Sequence, residues 1–157
     1  MSNLETTYLG IKIKNPLVAA SSGLTSSVEK IKELETAGIG AVVLKSIFQE
    51  QINNEVSNML DKDQHNTDYP EAEDYIKNYL RDNTLTNHIK LLKNVKEAVD
   101  IPVIASINCV TSDEWTSFAK DFEEAGADAI ELNIFYLPTD RNEKPGVVEQ
   151  LYLDVLK

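Results

Sequence analysis

Leu34-Glu35-Thr36-Ala37-Gly38-Ile39-Gly40-Ala41-Val42-Val43-Leu44-Lys45 and Phe122-Glu123-Glu124-Ala125-Gly126-Ala127-Asp128-Ala129-Ile130-Glu131-Leu132-Asn133 align position for position without a gap. Each copy reads as the end of a helix, a glycine stop, and an apolar strand that finishes on a polar residue. Glycine ends a helix because it enters the left-handed conformation without a Cβ clash. The apolar run that follows fits a parallel strand covered by helices. Two such strands in one sheet bring Lys45 and Asn133 to the same edge, where α/β proteins build their sites.

The chain around the two copies alternates in the same way. Ile11 and Ile13 alternate with Lys12 and Lys14 at strand period. With Thr6-Thr7 before Tyr8-Leu9-Gly10 they predict a small hairpin, broken by Asn15-Pro16. Leu17–Ala20 reads as a first buried strand, followed by a Ser21-Ser22-Gly23 loop. Ser26-Ser27-Val28-Glu29 fits a capping box for a first helix carried by Val28, Ile31, Leu34 and Ala37. The polar stretch 47–87 reads as a long loop, a functional lid or a disordered segment. Ala72, Tyr75, Ile76 and Tyr79 mark one short helix within it. A second main helix is expected over about 87–99, with Ile89, Leu92, Val95 and Val99 buried, and a third strand over Val103–Asn108. Thr111-Ser112-Asp113-Glu114 fits a second capping box. Trp115, Phe118, Ala119, Phe122 and Ala125 form an amphipathic stripe behind it. Beyond Asn133, a loop with Pro138 and Pro145-Gly146 leads to a last helix marked by Val148, Leu151 and Val155.

A hairpin and four βα units imply a parallel sheet with right-handed crossovers, in a single domain over 1–157. A (β/α)8, or TIM, barrel takes about 250 residues. The expected fold is therefore the N-terminal half of such a barrel.

Composition narrows the function. With 42% hydrophobic and 26% charged residues, the chain has the balance of a soluble globular protein. No apolar run reaches the roughly 20 residues of a membrane span, and Met1-Ser2-Asn3-Leu4-Glu5 lacks the features of a secretion signal. One cysteine, Cys109, rules out an internal disulfide framework and makes the cytoplasm the expected compartment. A net charge of −11 with scattered lysines argues against nucleic-acid binding. Cys109, His65 and His88 stand at no metal-ligand or catalytic spacing.

The candidate site is the set of polar strand ends. Side chains alternate along a strand, so an inward Lys45 takes Val43 and Ala41 with it, and an inward Asn133 takes Glu131. Alternate barrel strands share a layer, which sets Lys45 and Asn133 at similar heights and Glu131 two residues deeper. Lys45 offers a cation, Asn108 and Asn133 a donor and an acceptor each, Ser21 and Ser46 hydroxyls. Together they suit a planar, polar, electron-rich ligand held by its edge. Each has a plainer reading: Lys45 as a side chain leaving for water, the asparagines as turn residues, Glu131 as a member of a buried ion pair.

Gly10-Ile11-Lys12-Ile13-Lys14-Asn15-Pro16-Leu17-Val18-Ala19-Ala20-Ser21, Gly40-Ala41-Val42-Val43-Leu44-Lys45-Ser46 and Ala129-Ile130-Glu131-Leu132-Asn133, in that order and spacing, resemble the first half of the dihydroorotate dehydrogenase family. The resemblance implies an FMN-dependent barrel that oxidises dihydroorotate to orotate in pyrimidine synthesis. By position it implies Ala20 and Ser21 along the flavin, Lys45 and Ser46 at its ring, with Lys45 also near the substrate and acting in catalysis. Asn108 would bond the flavin, and Asn133 would contact flavin, substrate or both. A dihydropyrimidine is the implied substrate.

The chain departs from the family in three places. Nothing between Ile47 and Asn87 matches the family's orotate-binding stretch of the Asn-Ser-Met-Gly-Leu type. Ile134-Phe135-Tyr136-Leu137-Pro138 holds neither the Cys nor the Ser that serves the family as base, and Tyr136 is the nearest titratable group. The 157 residues are expected to span only the first half of the barrel, and in this family the second half carries a further Lys and the glycine-rich phosphate loops. Two other readings remain open at this stage. One is a flavin-free phosphate-binding barrel, a synthase or isomerase. The other is a non-enzymatic half barrel that associates with itself or with a complementary half, since open sheet edges favour association.

Overall fold

The structure, a computed structural model, describes residues 4–48, 70–109, 112–134, 141, 144 and 146–156. In chain order its elements are β1 (Thr6–Tyr8), β2 (Ile11–Ile13), β3 (Val18–Ala19), a 3-10 turn (Gly23–Thr25), α1 (Val28–Thr36), β4 (Ala41–Val43), β5 (Ile47–Phe48), α2 (Pro70–Ala98), β6 (Val103–Asn108), α3 (Ser112–Glu124), β7 (Ala129–Leu132) and α4 (Val147–Val155).

The two sequence copies fold alike down to single hydrogen bonds. At the end of α1, Gly38 N–H donates to the Glu35 carbonyl and Ile39 N–H to the Leu34 carbonyl. At the end of α3, Gly126 donates to Glu123 and Ala127 to Phe122. Both glycines take positive φ, 104° and 95°, so each helix closes with the same left-handed cap. Each copy then enters its strand through one amide, Gly40 to the Leu17 carbonyl at 2.7 Å and Asp128 to the Val103 carbonyl at 3.0 Å. Where the second copy has Asp128, the first has Gly40, because a Cβ there would collide with the Asn15 carbonyl oxygen. Asp128 instead ties three elements, accepting from Val103 N–H at 2.7 Å and pairing with Lys96 of α2 at 2.6 Å.

β1 and β2 form the antiparallel hairpin, Thr6 opposite Ile13. The remaining strands are parallel. β4 lies between β3 and β6, β7 takes the other side of β6, and β5 pairs β6 beyond the end of β4. The molecule is therefore an α/β protein built on a parallel sheet. Its core lies between the sheet and the helices. Val42, Leu44, Ile47, Val103, Ala105 and Ile107 meet Ile31, Leu92, Val95, Trp115, Phe118 and Phe122 there. The α3 stripe expected from the sequence supplies Trp115, Phe118 and Phe122, all buried.

Within that core, β6 contributes every second residue, but β4 and β5 contribute 42, 44 and then 47. The step of three is a β-bulge. Val43 lies opposite Ile104 and Ile47 opposite Ile107, so four steps on one strand match three on the other. The amides show it directly. Leu44 N–H donates to Ile104 in the ladder. Lys45 and Ser46 in succession turn theirs the other way, to the Thr25 carbonyl and to Ser21 Oγ. The bulge returns Ser46 and Phe48 to the face that carries Val43.

Several elements differ from the sequence reading. The Leu17–Ala20 strand is not buried. It shortens to Val18–Ala19, with Leu17 65% and Val18 38% exposed. The cause is its place at the sheet margin, paired on one side only among the described residues. The N-cap of α1 is Ser27, one residue later than the capping box requires, and its side chain accepts from Lys30 N–H. Glu29 sits in that first turn. Its own backbone N–H and the Ser27 hydroxyl hold its carboxyl below the usual carboxylate range.

The expected long loop 47–87 is interrupted at both ends, by β5 and by α2. The short helix and the second main helix are one continuous helix of 29 residues. No Gly or Pro interrupts 71–98, so the Asp82–Asn87 run that reads as loop lies along a helix surface. The Thr111 capping box, Tyr136 and Pro138 lie outside the described residues. Among the described residues, no helix is long and apolar enough to cross a membrane.

Candidate functional site

The loop after β3, the bulge, β5 and the end of β7 enclose a cavity of about 570 Å³ at the C-terminal edge of the sheet. Ala20 and Ser21 line it from the loop, Lys45 and Ser46 from the bulge, and Asn133 from the end of β7. Five of the six residues singled out in the sequence thus meet around one space. Phe48, Leu132 and Ile134 give it apolar wall.

Lys45 is held at its backbone by the Thr25 carbonyl, and the residue is exposed and lines the cavity. Among the described residues, no anion pairs with it. Its charge is nonetheless felt at His88 of α2. Burial pushes the His88 imidazole below its ordinary pKa, a bond between Nδ1 and the Thr84 carbonyl acts against that, and Lys45 adds a further downward push. Asn133 is fixed by its main chain, with its N–H donating to the Ile107 carbonyl at 2.8 Å. Its carbonyl accepts from Asn108 Nδ2 at 2.6 Å. Among the described residues, no hydrogen bond claims its carboxamide. Asn108, the sixth residue, is buried and does not line the cavity. Its amide holds the strand end that presents Asn133.

Glu131 departs from expectation. It is exposed and lines the cavity. Among the described residues no cation pairs with it, and its carboxylate accepts from Ser106 Oγ at 2.7 Å. Ser106 in turn contacts Ser46 Oγ at 2.6 Å, and Ser46 contacts Ser21 Oγ at 2.8 Å. Both inner hydroxyls are buried, Ser46 at 4% and Ser106 at 2% exposed, so each needs these partners. Register explains the match, because Ser106 lies directly opposite Glu131 across β6 and β7.

The sequence reading did not single out Ser106 or Phe48. A usable signal for Ser106 existed: one hydroxyl inside the apolar run Val103–Ile107, at a register position shared with Glu131. Phe48 carried no such signal, because only the bulge brings it round. Cys109 is buried and outside any disulfide.

No protein-family model matches the chain. Among curated proteins, it is 32% identical to the catalytic subunit of dihydroorotate dehydrogenase B (NAD(+)) of Thermoplasma volcanium, over 85% of this chain and 42% of that protein. It is 33% identical to the subunit of the same name from Pyrococcus abyssi, over 83% of this chain and 40% of that protein. With the NAD-dependent dihydropyrimidine dehydrogenase subunit PreA of Escherichia coli K12 it shares 27% identity, over 94% of this chain and 38% of that protein. The chain thus spans about two fifths of the length of the curated relatives it matches.

Proposed function

We propose that this chain, a diverged relative of the dihydroorotate dehydrogenase family over the N-terminal half of those proteins, is the flavin-edge half of a (β/α)8 barrel and holds FMN at its strand ends. The observation that carries the reading is the convergence of Ser21, Lys45, Ser46 and Asn133 on one cavity. The residues present fit such a group. The volume falls in the range of roughly 300–1,000 Å³ typical of small-molecule sites. A cation and a carboxamide that have no side-chain partner among the described residues line it, beside the apolar surfaces of Phe48, Leu132 and Ile134. A planar ring with a polar edge needs that combination.

Bound FMN supplies the capacity to accept a hydride from a reduced pyrimidine. Lys45 would stabilise negative charge at the ring edge, since a cation placed where charge develops favours the charged form. Asn133 orients the ring or the substrate through one donor and one acceptor. The substrate class is a dihydropyrimidine, and for the complete barrel the reaction is dihydroorotate to orotate. Among the described residues, β3 and β7 each pair on one side only. Closure of the sheet by a second copy or by a complementary half barrel belongs to the same proposal.

Titration of the full chain with FMN, followed by flavin fluorescence, tests it. Saturable quenching is expected. Lys45→Met should weaken it about tenfold or more, since a hydrogen bond to a charged group contributes roughly 1.5–3 kcal/mol and 1.4 kcal/mol is a factor of ten. No saturable quenching, or equal affinity in Lys45→Met, contradicts the reading.

A further inference from the structure

Ser21, Ser46, Ser106 and Glu131 form one unbroken line of hydrogen bonds, and the line has a single self-consistent direction. A carboxylate accepts and never donates. The one hydroxyl proton of Ser106 therefore goes to Glu131 Oε1, at 2.7 Å. Ser106 has no proton left for its other neighbour, so the 2.6 Å contact with Ser46 uses the proton of Ser46. By the same step, the 2.8 Å contact between Ser21 and Ser46 uses the proton of Ser21. Ser21 Oγ also accepts from Ser46 N–H at 2.9 Å. All three hydroxyl protons are spent inside the line. Toward the cavity, Ser21 and Ser46 keep lone pairs only, and Glu131 in the same lining adds more. Donors come from elsewhere in the lining, from Lys45, the Asn133 carboxamide and the Ser22 hydroxyl, which accepts from Leu24 N–H and is not part of the line.

We infer that Glu131 is a positioning residue that acts through Ser106 and Ser46 to make this wall of the cavity acceptor-only. The cavity thereby selects a ring edge of the form C(=O)–N–H, with the N–H at the serines and the carbonyl at Lys45. The selectivity part rests on the flavin and dihydropyrimidine reading above, since both rings carry that edge; the hydrogen-bond direction does not. Glutamine at 131 removes the constraint. Its amide donates as well as accepts, so the line is free to reverse and Ser21 is free to turn its proton into the cavity. Glu131 is exposed, so the isosteric exchange does not disturb packing.

Two measurements decide the matter. The first needs no ligand. In 15N spectra of the full chain, Glu131→Gln should shift the Ser46 amide, which bonds the far end of the line, and Ser106→Ala should shift it too. Glu131→Gln added to Ser106→Ala should shift it no further. A Ser46 amide that ignores Glu131→Gln, or that responds equally without the Ser106 hydroxyl, overturns the relay.

The second is calorimetric titration with FMN and 3-methyl-FMN, and with dihydroorotate and its N3-methyl derivative. The N–H member of the pair that binds should be favoured about tenfold, the size of one mismatched buried hydrogen bond, and that pair identifies the source of the edge. Glu131→Gln should narrow the preference to within about threefold. An unchanged preference in Glu131→Gln assigns it to methyl bulk and overturns the selectivity. Uptake of none of the four, with the Ser46 response intact, overturns the flavin reading and leaves the relay standing.

Discussion

His88 reports on Lys45 from inside the protein. Its imidazole is held below the ordinary value of 6.5 chiefly by burial, with Lys45 as a smaller cause in the same direction. Lys45→Met should therefore raise the His88 pKa yet leave it under 6.5, as read from its ring proton shifts. The chain has only two histidines, which makes the assignment simple. No movement would place the Lys45 charge elsewhere. The sign for stability follows from proton counts. Just below pH 6.5 the unfolded chain binds a proton at this position more readily than the folded one, so stability rises with pH through that window. The contribution is complete above 6.5 and is lost as pH falls toward the folded value. Urea unfolding between pH 5 and 7.5 should show this slope in the wild type and less of it in His88→Gln. Residues on this scale were legible where chemistry and strand position agreed. Lys45 and Ser46 follow β4, Asn133 follows β7, and all three line the cavity. Asn108 ends a strand, but its amide is used to hold the Asn133 carbonyl, a role that depends on a neighbour's main chain and leaves no mark in sequence.

Elements were legible in proportion to the burial of their apolar residues. The run Val103–Asn108 is buried along its whole length, and α3 shows an unbroken apolar stripe. Both were readable because burial selects apolar residues, in a nearly continuous run along β6 and at helical spacing along α3. α2 was misread because its middle carries Asp82, Asn83, Thr84, Thr86 and Asn87, residues that favour turns when isolated. Tertiary contact through Leu80, Leu92 and Val95 outweighs that preference. A proline distinguishes one helix from two. Asn83→Pro should lower stability by about 3 kcal/mol or more, because it removes an intrahelical bond and clashes with the preceding turn. Denaturant unfolding measures it, and a cost near zero would mean the helix is broken at this point. The bulge was beyond sequence reading for a different reason. It is defined by the directions of the Lys45 and Ser46 amides and by the register of β6, none of which the local residues dictate.

At the scale of the molecule, the duplicated helix–glycine–strand unit organises everything else. Its two copies share caps and strand entries, and they flank β6 with strands whose polar ends face the same cavity. That much follows from sequence because glycine stops and apolar strands are local signals. The full barrel does not, since closure depends on strands outside the pairing seen here. In the function proposed above, the cavity is where a flavin ring would meet Lys45 and Asn133. The most direct test is to add FMN to the 15N-labelled chain and follow the amide resonances. Shifts are expected to concentrate at residues 20–23, 45–48 and 132–134 and to leave β1, β2 and α4 unmoved. Shifts centred on any other surface, or none at saturating FMN, would contradict that function.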